Sequence, residues 1–129
     1  MTGREAEIWA YKVVKASELA NSVNGKVSRR PRPDKSKRED IVVRLLAEGF
    51  VSQVQDYFVN VNVYVPYNSE INEEDGARVD QLATIAFDSL EENIISSENV
   101  LIKLDKQTIL DLSDIGHTLI TNRLLIRKI

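Results

Sequence analysis

The chain has 129 residues, 43% of them hydrophobic, and its 17 Lys and Arg against 20 Asp and Glu leave a net charge of −3. That is the size and apolar content of one globular domain able to bury roughly two thirds of its unfolded surface; with no cysteine, disulfide frameworks, thiolate nucleophiles, zinc-finger sites and cysteine-ligated clusters are excluded together. No run of about 18 apolar residues could span a bilayer, and MTGREAEIW lacks the basic-then-apolar pattern of a secretory signal, so a soluble cytoplasmic protein without a membrane partner is expected.

Thr2 followed by Glu5 fits a capping box and predicts a helix from about residue 4. Ile8, Tyr11, Ala16 and Leu19 give it an apolar side, while Val13 and Val14 blur the period and suggest a break near Ser17 into a second short turn. Gly25 suits the end of this helical segment. Residues 26–30 are short enough for an edge strand. Then comes RRPRPDKSKRED, in which Arg29, Arg30, Arg32, Lys35, Lys37 and Arg38 are interrupted by Pro31 and Pro33. Prolines at this spacing favour a stiff, extended protrusion, expected here as a flexible basic loop over about 29–39 on a single domain. Charge reversal at Arg29, Arg30 and Arg32 in such an appendage should leave thermal melting nearly unchanged.

Ser36 and Glu39 repeat the capping-box spacing, but the following IVVRLL is rich in β-branched residues, so residues 41–46 read as a buried strand and the motif match as accidental. Gly49 marks a turn. FVNVNVYVP, residues 58–66, is the clearest periodic signal: Val59, Val61, Val63 and Val65 fall on one face, Phe58, Asn60, Asn62 and Tyr64 on the other. Gln53, Gln55 and Tyr57 share the parity of the valines, so a bulge or turn near Asp56 is expected to reset the alternation. Pro66 ends the ladder, since it has no amide to donate.

In NSEINEED, residues 68–75, Asn72 can cap a helix whose positive end welcomes Glu73, Glu74 and Asp75. Val79, Leu82, Ala83, Ala86, Leu90 and Ile94 then recur at steps of three and four, predicting an amphipathic helix to about residue 93. Residues 100–104, 107–112 and 118–127 read as strands, with LDKQT as a hairpin turn between the first two. The order predicts an α+β domain: a mainly antiparallel or mixed β-sheet with two principal helices packed on one face.

Chemistry is sparse. His117 is the one histidine; beside Gly116 in an expected turn, it reads as a surface residue. Ser113 and Asp114 near it are accounted for by turn chemistry rather than by a Ser–His–Asp group. The glycines are scattered singly, which removes the usual phosphate-binding loop. Adjacent acids such as Glu73, Glu74 and Asp75, or Glu91 and Glu92, point in different directions on a helix and read as solvated faces, so no metal is expected. Trp9 reads as a core anchor. No catalytic residue and no cofactor is expected.

The basic loop remains the strongest binding element, open to three readings: a solvated loop, a protein contact or a nucleic-acid contact. It could neutralise several phosphates, yet it lacks the interleaved aromatics that single-strand binders use for stacking. The charge is also split along the chain, with 11 Lys and Arg against 8 Asp and Glu in residues 1–66 and 6 against 12 in residues 67–129. Such halves either neutralise each other within one fold or form faces through which identical subunits meet head to tail.

The succession GKVSRRPRP, EDIVVRLL, VQDYFVNVNVYVP, an acid-capped helix and a final TNRLLIRKI resembles small tail completion or tail terminator proteins of long-tailed phages and prophages, over about residues 5–128. The resemblance implies a non-enzymatic subunit that closes into a homo-oligomeric ring, typically a hexamer, on the end of the tail tube, although it can be monomeric in isolation. It implies the major tail tube protein and the head connector protein as partners, and a location in the bacterial host cytoplasm during assembly and then in the virion tail. On this view Arg29, Arg30, Arg32, Lys35, Lys37 and Arg38 form an assembly arm, nucleic acid is at most a secondary contact, and Asn60, Asn62 and Tyr64 offer a polar interface. A head–tail joining protein and a small nucleic-acid-binding regulator are the alternatives.

Overall fold

The computed structural model describes residues 1–46 and 56–129; Gly49, Gln53 and Gln55, to which a turn and misplaced amides were assigned above, lie outside the described residues. Among the described residues the elements run α1 (Gly3–Lys15), α2 (Glu18–Ser22), β1 (Val27–Ser28), β2 (Ile41–Leu45), β3 (Asp56–Pro66), α3 (Gly76–Leu90), β4 (Glu92–Ile95), β5 (Val100–Leu112) and β6 (His117–Lys128). The strands form a mixed sheet in the order β1-β2-β3-β6-β5-β4. β1 and β2 are parallel, and the other neighbours are antiparallel. The α+β architecture is as expected, with α1 and α3 packed against the valine face of β3 in one core.

Thr2 caps α1, its hydroxyl accepting the Glu5 amide at 3.2 Å. The buried stripe is Gly3, Ala6, Ala10 and Val14, shifted from the expected Ile8, Tyr11 and Ala16, of which the first two are half-buried and the last exposed. Small side chains let the helix lie close to the sheet, and the larger ones splay to its sides. The break at Ser17 is present, and α2 buries Leu19 completely.

On β3 the four valines are at most 1% exposed, and Phe58, Asn60, Asn62 and Tyr64 are half-buried on the opposite face, which is helix-free among the described residues. Among the described residues, pairing with β6 runs unbroken from Asp56↔Arg127 to Pro66↔His117. Tyr57 stays on the dry face because its hydroxyl escapes the core, donating to the Met1 carbonyl at 2.7 Å.

α3 is capped by Asp75, whose carboxylate accepts the Arg78 amide at 3.2 Å, and not by Asn72. Asn72 instead takes a left-handed φ of 52° inside a tight loop, so Glu73 and Glu74 precede the helix. Val79, Leu82, Ala83, Ala86 and Leu90 are buried as the period requires. The helix ends at Leu90, however, and Ile94 sits exposed on β4, whose pairing with β5 competes successfully with another helical turn.

LDKQT is not a hairpin. β5 continues through it with a bulge between Leu104 and Lys106, and the chain reverses at residues 113–116, where Gly116 adopts a φ of 68°. The extra residue, Asp105, turns outward to pair with Arg123 at 2.7 Å, and the alternation resumes so that Gln107 faces α3. The Gln107 amide donates to the Ala83 carbonyl at 2.9 Å and to Asn122 Oδ1 at 2.8 Å, while buried Asn122 donates to the Val61 carbonyl at 3.1 Å. This polar chain pins α3 to the sheet centre. No helix among the described residues is long and apolar enough to cross a membrane.

One buried group is left over: the Thr118 hydroxyl has no hydrogen-bond partner among the described residues. A desolvated hydroxyl without a partner costs about 1–3 kcal/mol. Thr118→Val, which keeps the shape and removes the hydroxyl, is expected to raise stability by about 1 kcal/mol in urea unfolding.

Candidate functional site

The basic segment is shaped by the strands it joins. Parallel neighbours cannot be linked by a tight hairpin, so after β1 the chain must travel back to the end where β2 starts. With helices on one face of the sheet, residues 29–40 make this return across the other. The loop therefore lies over the helix-free face and encloses a cleft of about 530 Å³ with Arg32, Pro33, Asp34, Lys35, Ser36 and Lys37 on one side and Tyr64, Ile115 and His117 on the other.

Arg32 is the roof beam of this cleft. Its guanidinium lies 4.8 Å from the centre of the Tyr64 ring, a stacking that both planar groups favour. Nε donates to Asp40 at 2.9 Å, and Nη2 donates to the Arg38 carbonyl at 2.7 Å and to His117 Nε2 at 3.0 Å. Because arginine can only donate, His117 Nε2 is the acceptor and Nδ1 carries the proton, donating to the Ile115 carbonyl at 2.7 Å. His117 is thus buried at the start of β6, 8% exposed, and not the surface residue expected from its place beside Gly116. With both ring nitrogens engaged in this way, it is committed to the loop rather than to Ser113 or Asp114.

Beneath the loop lie two buried acids, Glu39 and Asp40. Asp40 accepts the Lys26 amide at 3.1 Å, the Ser36 hydroxyl at 2.5 Å and the Arg32 guanidinium. Burial alone would raise its pKa, but these donors and the Arg32 charge outweigh desolvation and hold it below the ordinary aspartate value. Glu39 takes a two-pronged contact from Arg78 of α3, at 2.6 and 2.8 Å, and exchanges bonds with Asn24. Glu39 and its hydrogen bonds also burden Arg78, whose pKa is raised. Gly25 donates to the Glu39 carbonyl at 3.1 Å, and a Cβ there would stand 2.3 Å from Asp40 Oδ1 and 2.4 Å from that carbonyl. Its role is close approach to the acids, and not the helix cap expected: α2 has already ended at Ser22.

The six basic residues do not act as one arm. Arg29 is held by Glu7 of α1 at 2.9 Å, and Glu7 also accepts the Leu45 amide. Arg32 is only 11% exposed. These two are tied into the fold, so the expectation that charge reversal at Arg29, Arg30 and Arg32 spares stability is kept for Arg30 alone. Arg30, Lys35, Lys37 and Arg38 are exposed and make no ion pair among the described residues. Lys35 has a left-handed φ of 60°, which aims the tip of the loop.

Tyr64 lines the cleft, while Asn60 and Asn62 lie further along β3, outside it. Asn62 accepts the Thr121 hydroxyl at 2.7 Å, and Asn60 borders a shallow hollow of about 210 Å³ with Lys106, Thr108 and Arg123. Trp9 packs against the core as expected and also borders an open hollow of about 570 Å³ in which no set of ionisable groups converges. No group of three or more His, Asp and Glu side chains among the described residues is placed to hold a metal. His117, Ser36, Glu39 and Asp40 escaped the sequence reading; the one available signal was an acidic pair placed directly against a strand rich in β-branched residues.

Compared with protein-family models and with curated proteins, the chain matches none.

Removing one partner of a buried ion pair leaves an uncompensated charge, so Arg32→Ala is expected to cost about 3–5 kcal/mol, against less than about 0.5 kcal/mol for Arg30→Ala on the surface. Asp40 sets a pH dependence. Its folded pKa is depressed, so its contribution is complete above about pH 4, where an unfolded aspartate is ionised, and is lost as pH falls through the folded value. Urea unfolding between pH 7 and 3 should show this loss in the wild type and a flatter profile in Asp40→Asn.

Proposed function

We propose that this protein is a structural subunit of a long-tailed phage or prophage, a tail terminator or tail completion protein that forms a ring on the end of the tail tube and meets the head connector. It works by binding without turnover. The reading begins from the succession of motifs quoted above. The observation that carries it further is the sheet face opposite the core, over which no helix lies among the described residues: strands β3 and β6 display Asn60, Asn62, Tyr64, Thr121 and Arg123 there. An antiparallel sheet can leave one side wet, and a face that mixes these polar groups with Phe58, Leu110 and Leu119, rimmed by a cationic loop, is suited to a heterologous contact that repeats around a ring. The virion tail would be its final location.

The use of the ionisable groups supports the same reading. The buried Asp40, Glu39 and His117 and the half-buried Arg32 and Arg78 are consumed in holding the loop and helices together. The exposed cations Arg30 and Arg38 are left to meet an acidic partner surface or, in the regulator alternative, phosphates.

The test is to mix the purified protein with tail tubes assembled from the tube protein encoded beside it and to image the ends by negative-stain electron microscopy. Capped ends and arrested growth are expected. Bare ends that keep growing, with binding to purified connector instead, would move the protein to the head–tail joint. Arg30→Glu with Arg38→Glu is expected to weaken capping about tenfold while shifting the melting temperature by less than about 2 °C. DNA or RNA affinity in the micromolar range that falls steeply with salt would favour the regulator.

A further inference from the structure

The cleft under the basic loop has an occupant of matching chemistry within the same polypeptide. Its lining combines apolar surface from Pro33, Tyr64 and Ile115 with the unpaired cations Lys35 and Lys37. Asp34 is the acid on the rim, and Arg32 is neutralised by Asp40. A ligand for such a site needs an apolar group to fill it and carboxylates on both flanks. The loop between β3 and α3 presents this arrangement: Ile71, 58% exposed, stands between Glu70 and the pair Glu73 and Glu74, none of which has an ion pair among the described residues.

That loop is ordered by its own hydrogen bonds. The Asn68 side chain accepts the Glu70 amide at 3.0 Å, the Asn68 carbonyl accepts the Asn72 amide at 2.8 Å, and the Asn68 amide donates to the Glu73 carbonyl at 2.8 Å. A loop already in shape loses little entropy on docking, and the left-handed Asn72 holds the bend that displays Ile71. The surroundings are acidic enough that the neighbouring Tyr67 phenol, hydrogen-bonded to Asp111 and facing the Glu74 and Asp114 charges, is pushed up to about 12. Position completes the match. The cleft opens on the helix-free face of the sheet, whereas the 68–75 loop leaves the end of β3 toward α3, which packs on the other face. Two different patches of one subunit can meet head to tail in successive copies, a heterologous contact that closes a ring where the rotation permits.

We propose that Ile71 of one copy seats in the Tyr64–Ile115 cleft of a second copy, with Glu70, Glu73 and Glu74 against Lys35 and Lys37. The proposal rests on the ring reading for its biological setting, but the contact itself is measurable without tail tubes. The patch is smaller than stable interfaces require, so the pairing is weak between free molecules and gains strength when copies are held side by side.

The lack of native cysteine makes a clean test possible. Lys35→Cys and Glu73→Cys are made in separate full-length chains, one carrying a mass tag, and mixed at high concentration under mild oxidation, with Lys103→Cys replacing Lys35→Cys as a control on an exposed strand position. Expected is a mixed disulfide between positions 35 and 73 that forms at least about tenfold faster than the 103–73 control, by the effective concentration that docking creates. Ile71→Asp in the Glu73→Cys chain should remove the preference, and a Lys37→Glu chain should regain it when paired with a Glu74→Lys chain. All altered side chains are exposed, and melting curves check that the fold is kept. Equal rates for the 35–73 and 103–73 pairs, or no effect of Ile71→Asp, would overturn the contact while leaving tube capping to be judged separately; the preferred disulfide together with bare tube ends would overturn the tail role and leave the contact standing.

Discussion

Two adjacent buried carboxylates, Glu39 and Asp40, tie together parts of the chain that lie far apart in sequence. Glu39 reaches α3 through Arg78 and the α2–β1 connection through Asn24. Asp40 reaches β1 through the Lys26 amide and the basic loop through Ser36 and Arg32, and its carbonyl accepts the Tyr64 amide of β3 at 2.9 Å. Charges removed from water are unfavourable unless donors surround them, and here the donors come from three separate parts of the chain, the α2–β1 connection, the basic loop and α3. The two acids thus convert a requirement for solvation into a requirement for one tertiary arrangement, and Gly25 is the residue that lets the backbone come near enough to supply it.

The cleft is a consequence of that arrangement. Once Asp40 fixes Arg32, the guanidinium stacks on Tyr64 and meets His117, and the loop is suspended above the sheet with Lys35 and Lys37 at its outer edge. A run of basic residues is thereby divided into structural and free cations. Arg29 and Arg32 neutralise acids of the fold, whereas Arg30, Lys35, Lys37 and Arg38 leave their charge exposed to solvent. Exposed charge of this kind contributes more to orientation and encounter than to affinity.

Where local chemistry and tertiary demand agree, the chain was easily read. The Val59, Val61, Val63 and Val65 alternation and the Val79 to Leu90 period correspond to buried faces because each pattern has a single dry side to satisfy. The errors cluster where a distant partner changed the local preference. LDKQT has the composition of a turn but continues as a strand, because β6 lies alongside and a bulge absorbs the extra residue. His117 looked like a turn residue until Pro66 and Arg32 were brought against it.

By itself the sequence determined the α+β class, the capped first helix, the central strand with its dry face and the presence of an unusual basic loop, since each depends on spacing within one segment and on the solvation of its own side chains. Which of the basic residues are free, where the loop lies, and that a cleft exists beneath it were decided only by the tertiary structure. The reason is that a buried charge selects its partner by proximity in space, and Glu39, Asp40 and His117 meet residues from elements far apart along the chain.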